Sequence, residues 1–314
     1  MFSFLTKKQR VVKNNTRKQF KKMKCSPITE GKTVNDNTCY TKKVIIDIRD
    51  EYNKSNLNKN KIKTDDPNTI WEELRVNLVD CSTESCWLRE LKNKKLSKKI
   101  QKYLFAPTQP PEWKQNPNEW LSNIDLLEVM AQYEIKYKNF KFIGPSCIDF
   151  DTKIIENDNK CVEQELCTFN LSEYIKKHKN KIGVIFNLDK HNQSGSHWVS
   201  LFINIKDRII FYFDSAGNKI PNEIQVFVDR VIKQGKMIPN KPIHFKFHQN
   251  FPKEHQFGST ECGIYSLFFI ITMLTGKNES YKFSGSDEMV VFFKKHTITD
   301  KYVEKYRNVY FNNI

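Results

Sequence analysis

Cys262 stands between a polar, glycine-containing loop (residues 256–261, Gln-Phe-Gly-Ser-Thr-Glu) and an apolar run (residues 264–274) that holds no proline. A run of that length and character predicts a buried helix that begins at Cys262. The first N–H groups of a helix lack intrahelical partners, and with the helix dipole they favour a thiolate over a thiol. A thiolate is a nucleophile. To turn over an acyl substrate it needs a proton acceptor, a group that fixes the acceptor's tautomer, and a donor for the developing oxyanion.

The sequence offers a candidate for each. His197 opens a β-branched and aromatic stretch (residues 197–205) after the polar loop 189–196, and Asp214 follows a second such stretch (residues 208–213), ahead of the turn Ser-Ala-Gly-Asn at 215–218. Only Lys206 and Asp207 separate the two stretches, so they predict an antiparallel hairpin. His197 and Asp214 then lie at the same end of the pair. Asp214 can accept from one ring nitrogen and leave the other to face Cys262. Gln256, six residues before Cys262, can join the Cys262 backbone N–H in an oxyanion hole. Gly258 and Gly263 permit close backbone approach. Singly, each residue is ordinary: a histidine opening a strand or a cysteine before an apolar helix most often only packs. The inference rests on all four in this order.

Residues 118–133 predict a helix capped by Ser122 or Asn123, with Leu126, Met130 and Tyr133 on one face. Strands are predicted at 140–143, 181–187 and 243–247, and helices at 170–177, 222–234 and 287–299. Strands and helices without strict alternation define an α+β domain. The Pro-rich stretch 106–112 marks a boundary. Three regions result: a basic flexible arm (1–24), a mainly helical N-terminal region (25–105) and the part that carries the chemistry (106–314). Within 25–105 a strand is expected at 43–48, a loop at 53–66, and helices at 69–78, 82–91 and 91–104.

Composition bounds the classes. The chain has 314 residues, with 23 phenylalanines and 12 tyrosines to build a core. No apolar run approaches the roughly 20 residues of a membrane span, and the N-terminus lacks a signal-peptide pattern. A soluble protein of a reducing compartment is expected. Eight cysteines without a Cys-x-x-Cys pair read as reduced, mostly buried thiols rather than a disulfide scaffold or a metal site. The net charge is +16; residues 1–24 hold nine Lys/Arg and no acid, and residues 92–102 hold six lysines. Both runs are either polyanion-binding surfaces or solvated faces of a Lys-rich chain.

Three segments together carry a family resemblance: residues 195–202 (Gly-Ser-His-Trp-Val-Ser-Leu-Phe), 212–218 (Tyr-Phe-Asp-Ser-Ala-Gly-Asn) and 255–269, which runs from His-Gln-Phe-Gly through Glu-Cys-Gly. The order His–Asp–Gln–Cys, with Trp directly after His and Gly directly after Cys, resembles the ubiquitin-like-protein (SUMO) protease family of cysteine peptidases. That family includes the SUMO-deconjugating enzymes and the adenovirus maturation protease. The likeness is greatest to its polyprotein-processing branch in African swine fever virus and related large DNA viruses. It covers about residues 118–275, extends loosely to 84–86, and is absent before that.

The resemblance implies a papain-like core of the adenain/SUMO-protease type, a central mainly antiparallel sheet flanked by helices. It implies Cys262 as nucleophile, His197 as general base and then acid, Asp214 as orienting group and Gln256 as oxyanion donor. The implied substrate-binding set is Trp198, Trp120, Asn123 and Gly263, with the two indoles closing a tunnel around a Gly-Gly segment. Cellular members carry Trp-Leu-Asn-Asp where this chain has Trp120-Leu-Ser-Asn123. No metal or cofactor is called for. The implied partners are viral capsid or core polyproteins with Gly-Gly sites, with nucleic acid held through residues 1–24, in the virion and the cytoplasmic viral factory. Three alternatives stay open on the residues: a deubiquitinase or deSUMOylase acting on ubiquitin-like conjugates, a basic nucleic-acid-binding virion protein with an inactive protease fold, and acyl transfer by the same residues.

Overall fold

The computed structural model describes residues 19–55, 61–154 and 158–313. Most of the basic arm read at 1–24 lies outside them. The chain forms two compact units, one of residues up to Met23 with Gly31–Gln101, the other of Lys24–Glu30 with Lys102–Ile314.

The first unit is helical: α1 (Lys42–Ser55), α2 (Pro67–Asn77), α3 (Glu84–Glu90) and most of α4 (Lys94–Leu104). The strand expected at 43–48 is instead the start of α1. Its buried residues, Ile45, Ile48 and Tyr52, are spaced by three and four, so a helix gathers them on one face where a strand would split them. Asp66 caps α2, accepting from Thr69 N at 2.8 Å, with Pro67 in the first turn. The carboxylate of Glu84 is fully buried and accepts from Thr38 Oγ1, Cys39 N and Trp71 Nε1. Burial pushes its pKa up against the pull of those donors.

The cysteine expectation needs a correction. Cys81–Cys86 and Cys161–Cys167 are disulfides, and the free thiols are Cys147 and Cys262. Between the members of each pair the chain turns back on itself, bringing the Cα atoms to 5.4 and 6.2 Å, within the reach of a disulfide. Spacings of five and six residues do not reveal such a return by themselves.

The second unit opens on α5 (Asn123–Lys136). Ser122 and Asp125 form its capping box, which settles the choice between Ser122 and Asn123. There follow β1 (Phe140–Cys147), the small ribbon β2 (Lys153–Ile154) and β3 (Lys160–Cys161), α6 (Gln164–Cys167), α7 (Leu171–Lys176), β4 (Lys181–Asn187), β5 (Trp198–Asn204), β6 (Ile209–Phe213), α8 (Asn222–Lys236), β7 (Lys246–Gln249), α9 (Cys262–Thr275), α10 (Ser286–Lys295), α11 (Asp300–Glu304) and α12 (Arg307–Tyr310). The main sheet runs β1-β4-β5-β6-β7. Its centre, β4-β5-β6, is antiparallel as the hairpin predicts, while β1 and β7 join at the edges in parallel.

Period-two alternation sorts the sheet into two cores. Trp198, Phe202, Phe211 and Phe213 face α5, α9 and α10. Val199, Leu201, Ile210 and Tyr212 face α7 and α8. Every residue of α9 from Cys262 to Leu274 is buried, so this helix is apolar all round because it is covered all round. At Gly183 an added Cβ would come within 2.9 Å of Ile270 Cγ2, so the bare backbone of β4 lets α9 lie close.

Candidate active site

The hairpin and the central helix meet at one end of the sheet. His197 precedes β5, Asp214 follows β6, and Ser200 pairs with Phe213 in the register. His197 Nε2 lies 2.6 Å from Asp214 Oδ1, with Asp214 fully buried and the histidine side chain about a fifth exposed. Asp214 Oδ1 also accepts from Ala216 N at 2.9 Å. Because Nε2 is taken by the carboxylate, Nδ1 is the nitrogen left for the side-chain hydrogen bond to Cys262. Burial works against a charge on this ring. The hydrogen bonds to Asp214 and then to Cys262, with the charges behind them, overcome it and push the pKa up to about 10. At neutral pH His197 therefore carries a proton held between two acidic groups.

The loop before Cys262 is held in detail. Gln256 Nε2 donates to Gly258 O at 2.9 Å, and Ser215 Oγ donates to Gln256 Oε1 at 2.7 Å. A carbonyl can only accept, so the Gly258 contact fixes which end of the amide is nitrogen. One of the two N–H bonds of that nitrogen is used there. Asp300, at the start of α11, accepts from Phe257 N at 3.0 Å and Gly258 N at 2.9 Å through Oδ2, and its Oδ1 lies 3.1 Å from Tyr265 Oη. His255 is fully buried; its Nε2 donates to Phe293 O at 3.0 Å and its Nδ1 accepts from Ile298 N at 3.2 Å. Burial lowers its pKa to about 4, so it stays neutral and serves as an anchor for the loop.

A cleft of about 480 Å³, reached by Gly195 and Trp198 on either side of His197 in the chain, is lined also by Trp120, Asn123, Asn187 and Cys147. Three of the four residues in the implied substrate set line it. Trp120 is 40% exposed, whereas Trp198 is largely buried and donates its indole N–H to Leu121 O at 3.0 Å. The fourth, Gly263, is buried below them: an added Cβ would meet Leu121 Cβ at 3.0 Å and Trp198 Cδ1 at 3.4 Å. Its bareness lets the first turn of α9 approach the cleft wall.

The two free thiols differ in setting. Burial and then the charges of Asp149 and Asp189 push the Cys147 thiol up, keeping it protonated. Near it His191 Nδ1 is paired with Asp149 Oδ2 at 2.6 Å, a second His–Asp pair on the cleft rim that sequence reading missed. Cys262 instead adjoins an imidazole.

Sequence reading also missed the residues that hold the four named ones. Asn250 clamps the Asp214 backbone reciprocally, its Oδ1 accepting from Asp214 N at 2.9 Å and its Nδ2 donating to Asp214 O at 2.7 Å. Ser215 orients Gln256, and Asp300 pins the loop. Ser215 follows Asp214 directly and was open to discovery as an orienting hydroxyl. Asn250 and Asp300 carry no sequence signal of their role.

A free thiol at a helix N-terminus, sharing an imidazole with a buried carboxylate beside an aromatic-walled cleft, is the arrangement of a papain-like thiol hydrolase. The chain belongs to the Ulp1 protease family, a cysteine-peptidase family: the model of that family's C-terminal catalytic domain matches residues 152–311. Among its relatives is a protein of Acanthamoeba polyphaga mimivirus named as a thiol protease, 28% identical over 294 residues, which are 88% of this chain and 90% of that one. The SUMO-1 cysteine protease of African swine fever virus is 28% identical over 234 residues, 69% of this chain and 83% of that one. The crystal structure of the African swine fever virus protease has the same fold, with a TM-score of 0.61 at 22% identity, covering 93% of this chain and 96% of that chain. Among the described residues no helix is long and apolar enough to cross a membrane.

Proposed function

We propose that this protein is a viral cysteine endopeptidase that cuts after Gly-Gly sites in capsid or core polyproteins during virion maturation. In this reading residues 106–314 are the catalytic domain, and the basic residues 1–24 tether it to nucleic acid in the virion or viral factory. Cys262 attacks the scissile carbonyl. His197, held through Nε2 by Asp214, already holds the proton drawn from the thiol on Nδ1 and delivers it to the leaving amine. The Cys262 backbone N–H and the second N–H of Gln256 Nε2 receive the oxyanion. Trp120 and Trp198 wall a cleft in which residues without side chains fit best, so specificity comes from exclusion. One observation carries the reading: His197 lies between Asp214 and Cys262, with its pKa raised to about 10 by both. The names of the mimivirus and African swine fever virus relatives support thiol proteolysis in a viral setting.

The family favours one second reading, a deconjugase for ubiquitin-like proteins. A panel of Gly-Gly-X peptides beside fluorogenic ubiquitin and SUMO conjugates separates the two. Peptide cleavage that disappears in Cys262→Ala and His197→Ala is the expected result. Cleavage confined to the conjugates selects the deconjugase, and cleavage retained by Cys262→Ala removes the nucleophile assignment.

A further inference from the structure

Glu261, directly before Cys262, is an unusual neighbour for a thiolate. It sits at the N-cap of α9 yet makes no side-chain cap, and it is 5% exposed. A buried carboxylate beside the nucleophile would by itself oppose negative charge on sulfur. Its partner comes from the far end of the chain. Arg307, the first residue of α12, is equally buried and grips Glu261 in a two-pronged contact, Nε to Oε2 and Nη2 to Oε1, both at 3.0 Å.

The same guanidinium reaches three further groups. Its Nη1 donates to Glu119 O at 2.8 Å, and its Nη2 to Asn118 O and Thr260 O, each at 3.3 Å. Its carbon stands 4.4 Å above the centre of the Trp113 ring. Residues 118 and 119 lead directly into Trp120, the exposed wall of the cleft. A single side chain thus joins the residue before the nucleophile, the loop leading to it and the root of the cleft wall. Lysine, with one compact charge, cannot span this set, whereas the planar fork of arginine can.

We infer that Arg307 is a positioning residue for catalysis: it cancels the Glu261 carboxylate beside Cys262 and ties the nucleophile's turn to the strand of chain that carries Trp120. This rests on Cys262 being the nucleophile. Around the thiol stand His197, paired to Asp214, and, directly before it in the chain, Glu261, paired to Arg307. Removing the arginine leaves one uncompensated negative charge, and removing the glutamate leaves one positive charge. The two single variants must therefore shift the thiol in opposite directions, a response that loss of packing alone does not produce.

The test reads the thiol directly and so stands apart from any substrate. The rate of iodoacetamide alkylation at Cys262, located by peptide mass spectrometry, is followed from pH 5 to 9 in the full chain. Arg307→Gln should move the profile to higher pH by at least half a unit and cut kcat on a Gly-Gly peptide at least tenfold, with KM within about twofold. Glu261→Gln should move the profile to lower pH, and the double variant should move back toward wild type. Arg307→Lys should keep the alkylation profile near wild type while kcat still falls, because charge is kept and the fork is lost. If Arg307→Gln does not fold, the Glu261→Gln shift decides alone. An unmoved or upward profile in Glu261→Gln overturns the inference, as does equal loss in both single variants with no recovery in the double. Failure of the underlying reading looks different: Cys262→Ala would still cleave.

Discussion

Replacing Asp214 with asparagine tests how His197 is held. Burial disfavours a charged ring at this site, and the hydrogen bond to Asp214 is the largest effect raising its pKa to about 10. A hydrogen bond to a charged group contributes about 1.5–3 kcal/mol, against about 1 kcal/mol for a neutral one. Losing the charge but keeping the bond therefore costs the imidazolium about 1–2 kcal/mol, or roughly one pKa unit. The orientation of the new amide follows from its neighbours. Ala216 N donates to Oδ1 at 2.9 Å, so the amide oxygen must stay there and continue to accept from Nε2. The tautomer of His197 is preserved. The new NH₂ takes the place of Oδ2, which is buried without a partner, and leaving those donors unpaired costs about 1–3 kcal/mol of stability. The expected outcome of Asp214→Asn is a kcat about 10- to 100-fold lower, a lower melting temperature, and an alkaline limb of the kcat–pH profile moved down by about one unit. Steady-state kinetics on a fluorogenic Gly-Gly peptide from pH 5 to 10, with thermal melts, provide the check. A loss beyond a thousandfold in folded protein would mean that the tautomer had flipped. An unmoved alkaline limb would mean that Asp214 does not set the charge of His197.

Ser215→Ala removes the donor that orients Gln256; kcat should fall about three- to tenfold at constant KM, and a change in KM alone would contradict a transition-state role for the amide. Gly263→Ala places a methyl 3.0 Å from Leu121 Cβ; the crowding should cost about 1–3 kcal/mol in a chemical melt and raise KM by displacing Trp198, whose indole is bonded to Leu121 O. His255 and His197 give stability a maximum in pH. His255 folds with a pKa of about 4, below the ordinary 6.5. The unfolded chain takes up that proton first, so stability is complete above the ordinary value and is lost as pH falls from 6.5 toward 4, by roughly 3 kcal/mol. His197, raised to about 10, has the opposite sign: its contribution is complete below 6.5 and lost as pH rises through 10. Melting temperatures should peak near pH 6.5, and a profile flat from pH 4.5 to 7 would contradict the burial of a neutral His255.

The parts of this site legible in sequence are those fixed by local chemistry. A short connection between aromatic strands, residues 205–208 in the fold, dictates an antiparallel pair, and that pair alone brings His197 to Asp214. An apolar run after a polar loop dictates the helix that starts at Cys262. Residues 43–48 misled because a six-residue β-branched run is too short to separate a strand period from a helical one; Tyr52, four residues beyond Ile48, completes the helical spacing. The disulfides and the second pair, His191 with Asp149, were illegible because they depend on where the chain returns. The same holds for Asn250, which lies 36 residues from the aspartate it clamps.

What sets Cys262 against His197 is the aromatic core rather than any polar contact at the site. Phe213, the residue before Asp214, stacks on Phe269 of α9 with ring centres 4.8 Å apart and planes 7° from parallel, and lies against Tyr265 at 6.4 Å. The Tyr265 hydroxyl, in the first turn of α9, in turn donates to Ile298 O at 2.7 Å and lies 3.0 Å from His255 O, next to Gln256. The strand end that carries the acid, the helix start that carries the thiol and the loop that carries the amide are therefore registered through one buried cluster. Close-packed interiors do not deform continuously. A site assembled from segments 48 residues apart (Asp214 to Cys262) can thus hold hydrogen-bond geometry although its polar residues are few. The braces at Asp300 and Arg307 then have to fix only the short loop that the core leaves free.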